Sequence, residues 1–471
     1  MRKYKHCLFF LLDGARPDVL GHLLSAGDLP NIHQTFIAQG TFRRITTVFP
    51  STTGAAYLPF LTGRYPGHCN IPGIRWFDRK AYADRSVFNL RRFRSYVGAE
   101  SYLFNRDLSR EIKTIFDHVR RPVNIFNPIS RGSGFWGDRT RLKRSFYALY
   151  GHYTGGWRFI DRCMGLEVRA ALKRAPDFLF AVFPGVDEMS HLTHPFSAGV
   201  FEIYRQFDRE LGRIRQQCER LGMLDETLFM LASDHGMTAT HTHFDLAGFM
   251  EEQGFETLYY PKIFKKNFDV AVMQSGNAMA HLYLKSAQGW HAKTYREDME
   301  KLIESLSGRP EVAWVAALDR QGAITVRSKT SEAWIRQEGD GKIRYQAMGG
   351  DPFGFKNAKA LMTDRESLDY SFDQPYPDAF RQLLQLFKSE RTGDLVVNAA
   401  PGYDLRSRHE WPEHFSSHGS LIQSHMHVPW ACSHRLLTNK TIRSVDIFPT
   451  LLSFLDIPHH GSCDGTDLLT F

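Results

Sequence analysis

The chain alternates short apolar runs with amphipathic, helix-like segments. Five apolar runs end at polar or glycine residues, and they cover residues 7–12, 45–49, 177–183, 226–232 and 394–400. Runs of this length are typical of strands buried on both faces. Strands that alternate with helices predict an α/β fold, with a central, mostly parallel sheet and helices on both of its faces.

Two regions interrupt this alternation and are predicted to be cap insertions on a core formed by residues 1–78 and 151–471. Residues 79–150 are rich in aromatic side chains and hold 16 Lys or Arg against 6 Asp or Glu. This composition leaves three roles open: a solvated structural cap, a lid over an anionic substrate, or a contact with anionic lipid. The second region, residues 255–390, is long and mixed in pattern, and we expect it to form a second cap.

The bulk composition narrows the class of protein. The 471 residues are 42% hydrophobic and 23% charged, as in soluble globular proteins, and the net charge of +8 favours anionic partners. Six cysteines without a C-x-x-C pair argue against a thiolate metal site or a disulfide framework. No nucleic-acid-binding motif is found. The first apolar run is too short for a signal peptide, and no run approaches the ~20 residues of a membrane span. We therefore expect a cytoplasmic protein and leave peripheral membrane contact open.

Carboxylate and imidazole side chains follow several of the apolar runs. The set comprises Asp13, Asp187, His191, Asp234, His235 and, later in the chain, His418. Because the carboxyl ends of parallel strands meet at one edge of a sheet, we expect these side chains to converge. Carboxylates gathered in a small space repel one another and need cations. Oxygen and nitrogen ligands without thiolate favour Zn²⁺ or Mn²⁺, and six ligands divide naturally between two ions.

A cluster of hydroxyl residues, Ser51, Thr52 and Thr53, lies between the second apolar run and an apolar stretch that begins at Gly54. One interpretation is that a hydroxyl of this cluster caps the helix that follows. The other is that one hydroxyl is a catalytic nucleophile, activated by a neighbouring metal ion. The local pattern alone does not separate the two.

Five short motifs occur in a familiar order: "LLDG", "FPSTT…LTG", "DEMSH", "SDHGM" and "SHGS". Together they resemble the alkaline phosphatase superfamily, and most closely its nucleotide pyrophosphatase/phosphodiesterase branch. The C-terminal "SVDIFPTLLSFLDIP" also resembles the last helix of that superfamily. The resemblance implies an alkaline-phosphatase-like fold, two divalent metal ions, expected to be zinc with manganese as the alternative, and a phosphate ester as substrate.

The resemblance also implies a role for each candidate residue. It places one metal on Asp13, Asp234 and His235, and the other on Asp187, His191 and His418. Thr53 lies three residues after Pro50 and nine before Thr62, which is the position of the family's nucleophile and metal ligand. The function implied is a phosphodiesterase or pyrophosphatase that forms a covalent phospho-threonine intermediate.

The residues that would bind substrate are less well defined by sequence. The phosphodiesterase branch has an asparagine a little past a Y-P-x-x-H turn, and here Asn70 follows that turn more closely than the family pattern. Arg75 and Asn277 are further candidates. Two alternatives to a diesterase therefore stay open: a phosphomonoesterase on the same scaffold, and a catalytically silent protein that binds anions.

Overall fold

Strands and helices alternate along much of the part of the chain that the structure describes. The computed structural model describes residues 4–83, 93–260, 262, 264–265, 267–406, 410–458 and 463–469. The strands are β1 His6–Leu12, β2 Thr41–Thr46, β3 Arg75–Phe77, β4 Phe93–Ser95, β5 Pro122–Ile125, β6 Phe178–Phe183, β7 Thr227–Ala232, β8 Thr238–Ala239, β9 Thr242–His243, β10 Thr257–Leu258, β11 Val270–Ser275, β12 Met279–Leu284, β13 Val312–Leu318, β14 Ile324–Arg327, β15 Glu332–Gln337, β16 Ile343–Met348, β17 Leu361–Met362, β18 Leu395–Ala399, β19 Tyr403–Asp404, β20 Ser416–Ser417 and β21 His427–Cys432.

The helices are distributed between these strands. They are α1 Pro17–Ser25, α2 Pro30–Ile32, α3 Leu58–Thr62, α4 Arg79–Ala83, α5 Phe104–Asp107, α6 Gly134–Gly137, α7 Arg144–Thr154, α8 Trp157–Leu172, α9 Gly185–Leu192, α10 Ala198–Arg220, α11 Leu246–Glu252, α12 Glu300–Ser307, α13 Asp364–Ser371, α14 Ala379–Phe387, α15 Gln423–Met426 and α16 Ile447–Phe454. Among the described residues, no helix is both long enough and apolar enough to cross a bilayer.

A six-stranded sheet forms the centre of the molecule, in the order β2-β21-β7-β1-β6-β5. Strands β7, β1, β6 and β5 are parallel, whereas β21 runs antiparallel to both of its neighbours. The predicted α/β fold, with a mostly parallel central sheet, is confirmed. The topology also puts β1 between β6 and β7, so the polar residues that follow these three strands begin at the same edge.

The central strands are apolar throughout because both faces of the sheet are covered. In β1, Cys7, Phe9 and Leu11 belong to one hydrophobic core, and the alternate residues Leu8, Phe10 and Leu12 belong to another. Helices α3 and α16 contribute to the first core, and α1, α8 and α10 to the second. Successive strand residues point to opposite faces, so a strand between two helix layers needs apolar residues at every position.

A second, nine-stranded sheet has the order β10-β11-β12-β18-β13-β14-β15-β16-β17. Its fourth member in this order, β18, contains the fifth apolar run of the sequence and runs antiparallel to β12 and β13. The expectation that this run continues the parallel sheet is therefore wrong. An apolar run shows that a strand is buried on both faces, and it does not indicate which sheet contains the strand.

The second apolar run also differs in detail from its predicted strand. Strand β2 ends at Thr46, and residues 47–49 continue outside the ladder toward Pro50. Val48 and Phe49 are buried without being part of the sheet. Burial by neighbouring elements, rather than strand pairing, accounts for their apolar character.

The predicted insertions contribute to both sheets. Strand β5 lies within residues 79–150, yet it pairs with β6 at the edge of the central sheet. Residues 255–390 supply β10 to β17 of the nine-stranded sheet. The division of the chain into a core and two caps stays a prediction. Strand β5 and strands β10 to β17 are the parts of the predicted caps that belong to the two sheets.

Candidate active site

Three carboxylates meet at the carboxyl ends of the central strands. Asp13 directly follows β1, Asp234 lies two residues past β7, and Asp187 lies in the first turn of α9, just after β6. The Gly14 amide donates a hydrogen bond to Asp234 Oδ1 at 3.3 Å. Gly14 has a φ of +72°, and a Cβ atom there would lie 2.8 Å from the Cα atom of Asp187. Only glycine therefore allows α9 to approach the end of β1 this closely.

Three histidines complete the cluster. His191 follows Asp187 by one turn of α9, and its Nε2 lies 3.5 Å from Asp187 Oδ2. His235 is adjacent to Asp234, and its ring stacks on that of His418 with centroids 3.7 Å apart. His418 is brought there by β20, which pairs with β8 just beyond Asp234. All six residues that the sequence suggests as ligands therefore lie at one place.

The ligand atoms form two overlapping groups, each with atoms within 4.8 Å of one another. One group contains Asp187, His191 and His418, and the other contains Asp13, Asp187 and His235. Asp187 belongs to both, because its Oδ1 lies 4.0 Å from His235 Nε2 and 3.8 Å from His418 Nε2. Asp234 Oδ2 lies 3.2 Å from His235 Nε2, beside the second group. The geometry can thus accommodate two ions, with Asp187 between them.

Hydrogen bonds to the backbone fix the orientation of all three imidazoles. Each Nδ1–H donates to a carbonyl oxygen: that of Ser416 for His191 at 2.8 Å, Ser51 for His418 at 3.1 Å and Gly236 for His235 at 3.1 Å. Because a carbonyl only accepts, the proton is on Nδ1 and the Nε2 lone pair is free. Burial lowers the pKa of all three rings, that of His191 to about 4, which keeps them neutral.

No Lys or Arg among the described residues forms an ion pair with these three buried carboxylates. Burial, reinforced by the charge of Asp187, raises the pKa of Asp13 to about 8, and burial raises that of Asp187 to about 7. Burial and the other two carboxylates raise the pKa of Asp234 well above its usual range. Asp187 Oδ1 and Asp234 Oδ2 are buried without a hydrogen-bond partner among the described residues. Divalent cations would neutralise the buried carboxylates and would also give these two oxygens a partner. This donor set therefore fits metal ions.

The Thr53 hydroxyl faces this cluster. Its Oγ1 lies 3.2 Å from His235 Nε2 and 3.5 Å from Asp13 Oδ1. The expected helix begins as a single 3₁₀ turn, Ala55–Tyr57, which Gly54 precedes and no side chain caps. Thr53 is therefore directed toward the candidate ligands rather than toward helix amides, and its role as the nucleophile stays a prediction.

The three candidate substrate-binding residues have different surroundings. Asn277 donates from Nδ2 to His414 Nδ1 at 3.2 Å, and its backbone bridges to His418, so it borders the cluster. Arg75 forms a 2.6 Å ion pair with Glu410. Asn70 uses its amide oxygen to accept a hydrogen bond from Ser389 Oγ at 2.7 Å. The substrate-binding role of all three residues stays a prediction.

Two neighbours of the cluster were not identified from the sequence. The ring of His414 lies 4.2 Å from that of His191, and no feature of its local sequence indicates this. Tyr57 is buried, and its hydroxyl donates a short hydrogen bond to Asp13 Oδ2. The position of Tyr57 four residues after Thr53 is the one signal that could have suggested a place in the site.

We predict that Tyr57→Phe weakens metal binding by about 10- to 100-fold, because residues that orient a ligand typically contribute this much. The variant loses the hydrogen bond that orients Asp13 and keeps the buried ring. Competition with a chromogenic chelator measures the affinity. Tyr283→Phe is the matched control, because its buried hydroxyl donates to the Arg391 carbonyl away from the cluster. Equal affinities in the two variants would contradict the proposed orienting role.

Comparison with solved structures finds the same fold. Phosphonoacetate hydrolase from Sinorhizobium meliloti 1021, solved with phosphonoacetate, aligns over 97% of this chain and 96% of its own at 15% identity, with a TM-score of 0.57. Murine ectonucleotide pyrophosphatase/phosphodiesterase 5 covers 97% of both chains at 15% identity, with a TM-score of 0.55. The human form of the latter gives a TM-score of 0.56 at 13% identity. No curated protein sequence matches the chain.

These neighbours share the fold of this chain. The cluster, together with the family match that follows, defines a metal-dependent hydrolase of phosphate esters. Residues 7–421 match the family model for type I phosphodiesterase/nucleotide pyrophosphatase. The chain belongs to this family. The resemblance inferred from the five motifs is therefore confirmed.

Proposed function

We propose that the protein is a two-metal phosphodiesterase or pyrophosphatase that acts through a covalent intermediate on Thr53. The observation that carries this proposal is the position of Thr53 Oγ1, within 3.5 Å of both Asp13 Oδ1 and His235 Nε2. A threonine hydroxyl is a weak nucleophile near neutral pH, and coordination to a metal ion is a common means of activating it. The match to the phosphodiesterase family supports the same reaction class.

Six side chains would hold the metal ions. Asp13, Asp234 and His235 are proposed for one ion, and Asp187, His191 and His418 for the other, with Asp187 lying between them. Zinc is the proposed metal and manganese the alternative, because carboxylate and imidazole donors suit both. When bound, such ions neutralise the carboxylates and stabilise negative charge on the attacking and leaving oxygens.

In the proposed reaction, the protein supplies the nucleophile, which is the hydroxyl of Thr53. Thr53 Oγ1 attacks phosphorus, the Oγ1–P bond forms as the bond to the leaving oxygen breaks, and the hydroxyl proton passes to solvent. The leaving oxygen takes a proton from water. A water molecule then attacks the same phosphorus, breaks the Oγ1–P bond and restores the hydroxyl, so that each cycle consumes one water.

Comparison of two chromogenic substrates tests the proposed reaction. With zinc or manganese present, we expect kcat/KM for bis-p-nitrophenyl phosphate to exceed that for p-nitrophenyl phosphate by about tenfold or more. The reason is that the two esters differ by one negative charge, and the described cluster offers carboxylates rather than a free arginine to a second anionic oxygen. A clear preference for the monoester would overturn the proposal. Elemental analysis provides a second check, and well under two ions per chain would contradict the two-metal site.

The substrate class, the cellular location and the lipid partner are separate proposals. The family match supports a phosphate ester as substrate. For the location, we propose the cytoplasm. Fractionation of cells that express the untagged protein tests the location. The proposal of a lipid partner depends on a surface of the molecule that lies outside the metal cluster.

A further inference from the structure

Helix α7 presents apolar side chains to solvent. Phe146, Leu149 and Tyr153 are 63%, 55% and 69% exposed, and Tyr150 is also exposed. Their spacing of three, four and seven residues puts them on one face of the helix. In a globular protein such a face normally packs against the core, so a continuous exposed one indicates an interaction surface.

The apolar face continues onto α8. The ring of Tyr150 lies 5.5 Å from that of Phe159, which is exposed on α8, and Leu166 is exposed two turns further along. Arg162 lies between Phe159 and Leu166 in the sequence and is also exposed. We call Phe146, Leu149, Tyr150, Tyr153, Phe159 and Leu166 the aromatic stripe.

The surroundings of the aromatic stripe are positively charged. Residues 135–169 contain seven Lys or Arg and three Asp or Glu. The three acidic side chains are neutralised or buried: Asp138 pairs with Arg144, Glu167 pairs with Arg139 and Lys143, and Asp161 is buried. Arg158 and Arg169 pair with Glu202 and Glu210 of α10, so the positive charge of this segment that is unpaired among the described residues is that of Arg141 and Arg162.

Two arginines within residues 135–169 are free to meet an anionic partner. Arg141 and Arg162 are exposed and form no ion pair with any carboxylate that the structure describes. The guanidinium of Arg141 lies over the ring of Phe135, 5.4 Å from its centroid. Arginines interleaved with aromatic rings are typical of surfaces that bind the headgroup region of a membrane.

The aromatic stripe reaches the edge of the active site. The ring of Tyr153 lies 6.2 Å from that of Trp411, which is 65% exposed. Trp411 is three residues from His414, whose ring lies 4.2 Å from the proposed ligand His191. A surface that docks on the aromatic stripe therefore lies beside the metal cluster.

We propose that the aromatic stripe docks the protein on an anionic lipid surface. The apolar and aromatic side chains would enter the headgroup boundary, and Arg141 and Arg162 would meet the anionic headgroups. A second copy of the chain fits less well, because a symmetric contact through this face would bring the same positive charges together. The docking itself does not rest on the proposed catalysis.

Co-sedimentation with lipid vesicles tests the docking. The full chain is mixed with vesicles of phosphatidylcholine that contain phosphatidylserine, and separately with pure phosphatidylcholine vesicles. We expect partition onto the anionic vesicles only, reduced at high ionic strength because salt screens the arginines. Partition that ignores vesicle charge, or no partition at all, would overturn the proposal.

Variants locate the contact. The double variant Phe146→Ser, Leu149→Ser is expected to lower partition by about tenfold or more, since two exposed apolar side chains are lost. The substitutions Arg141→Gln and Arg162→Gln each remove one positive charge, and each is expected to lower partition onto anionic vesicles about fivefold. Leu437→Ser, which removes an almost fully exposed leucine from another part of the surface, is the matched control and should bind normally. Unchanged binding by the double variant would overturn the assignment to the aromatic stripe.

Two further measurements separate lipid docking from catalysis and from self-association. Thr53→Ala should bind vesicles as the parent does, so a failure of the proposed catalysis leaves the docking result intact. The double variant should hydrolyse soluble bis-p-nitrophenyl phosphate at the parental rate. If sedimentation velocity shows a dimer that the double variant dissociates, and vesicles are not bound, the aromatic stripe is a self-association surface and the lipid proposal is wrong.

Discussion

Thr53→Ala is expected to reduce the hydrolysis of bis-p-nitrophenyl phosphate by about a thousandfold or more, because the proposed reaction loses its nucleophile. Metal content should stay near that of the parent, since the six carboxylate and imidazole donors remain. Steady-state kinetics and elemental analysis on the same preparation measure both quantities. Loss of activity with metal retained is the result that distinguishes a missing nucleophile from a collapsed site.

The neighbouring hydroxyl provides a matched control. Thr52 is buried, and its Oγ1 has no hydrogen-bond partner among the described residues, so Thr52→Val removes a hydroxyl at nearly constant volume. We expect this variant to keep its activity within a few-fold of the parent. Thr53→Ser should retain measurable activity because it keeps a hydroxyl at the same position. An active Thr53→Ala variant would show that another group attacks phosphorus.

Asp187→Asn is expected to lose at least one metal ion per chain and to reduce hydrolysis by about a thousandfold. The reason is that Asp187 belongs to both groups of ligand atoms, and its Oδ1 is buried without another partner among the residues described. An amide nitrogen in place of one oxygen removes a charge that the cations need and brings N–H donors into the cluster. Elemental analysis after dialysis gives the metal content, and the diester assay gives the rate.

A second buried carboxyl tests whether this effect is specific. Asp161 accepts a hydrogen bond from the Gly185 amide, and burial raises its pKa to about 8. It is therefore largely uncharged near neutral pH, and asparagine resembles that form. We expect Asp161→Asn to keep both metal ions and most of the activity. Equal metal loss in the two variants would indicate a general effect of buried carboxyls rather than a ligand role for Asp187.

Much of the site could be predicted because its residues follow strands that the sequence marks clearly. Asp13, Asp187 and Asp234 each come soon after an apolar run, and the parallel topology brings those ends together. The alternating cores on the two faces of the sheet explain why the runs are apolar at every position. The apolar runs mark where the strands end, and the parallel arrangement places those ends together. The convergence of the three aspartates could therefore be predicted without knowledge of tertiary contacts.

Other features depend on tertiary contacts that leave no local pattern. His418 is one of 21 histidines, and only its short motif indicates a ligand role. Its place in the cluster depends on the pairing of β20 with β8, which no periodicity encodes. The fifth apolar run shows the same limit, because burial is visible in sequence and the choice of sheet is not. The position of His414 beside His191 is invisible in the sequence for the same reason.

The position of β21 in the central sheet has a consequence for synthesis of the protein. Strand β21 lies between β2 and β7 and forms hydrogen bonds with both, so two strands that are synthesised earlier wait for a later one. His418 also comes from this late part of the chain. A nascent polypeptide on the ribosome therefore cannot complete the candidate active site until residue 418 and its partner strand have emerged.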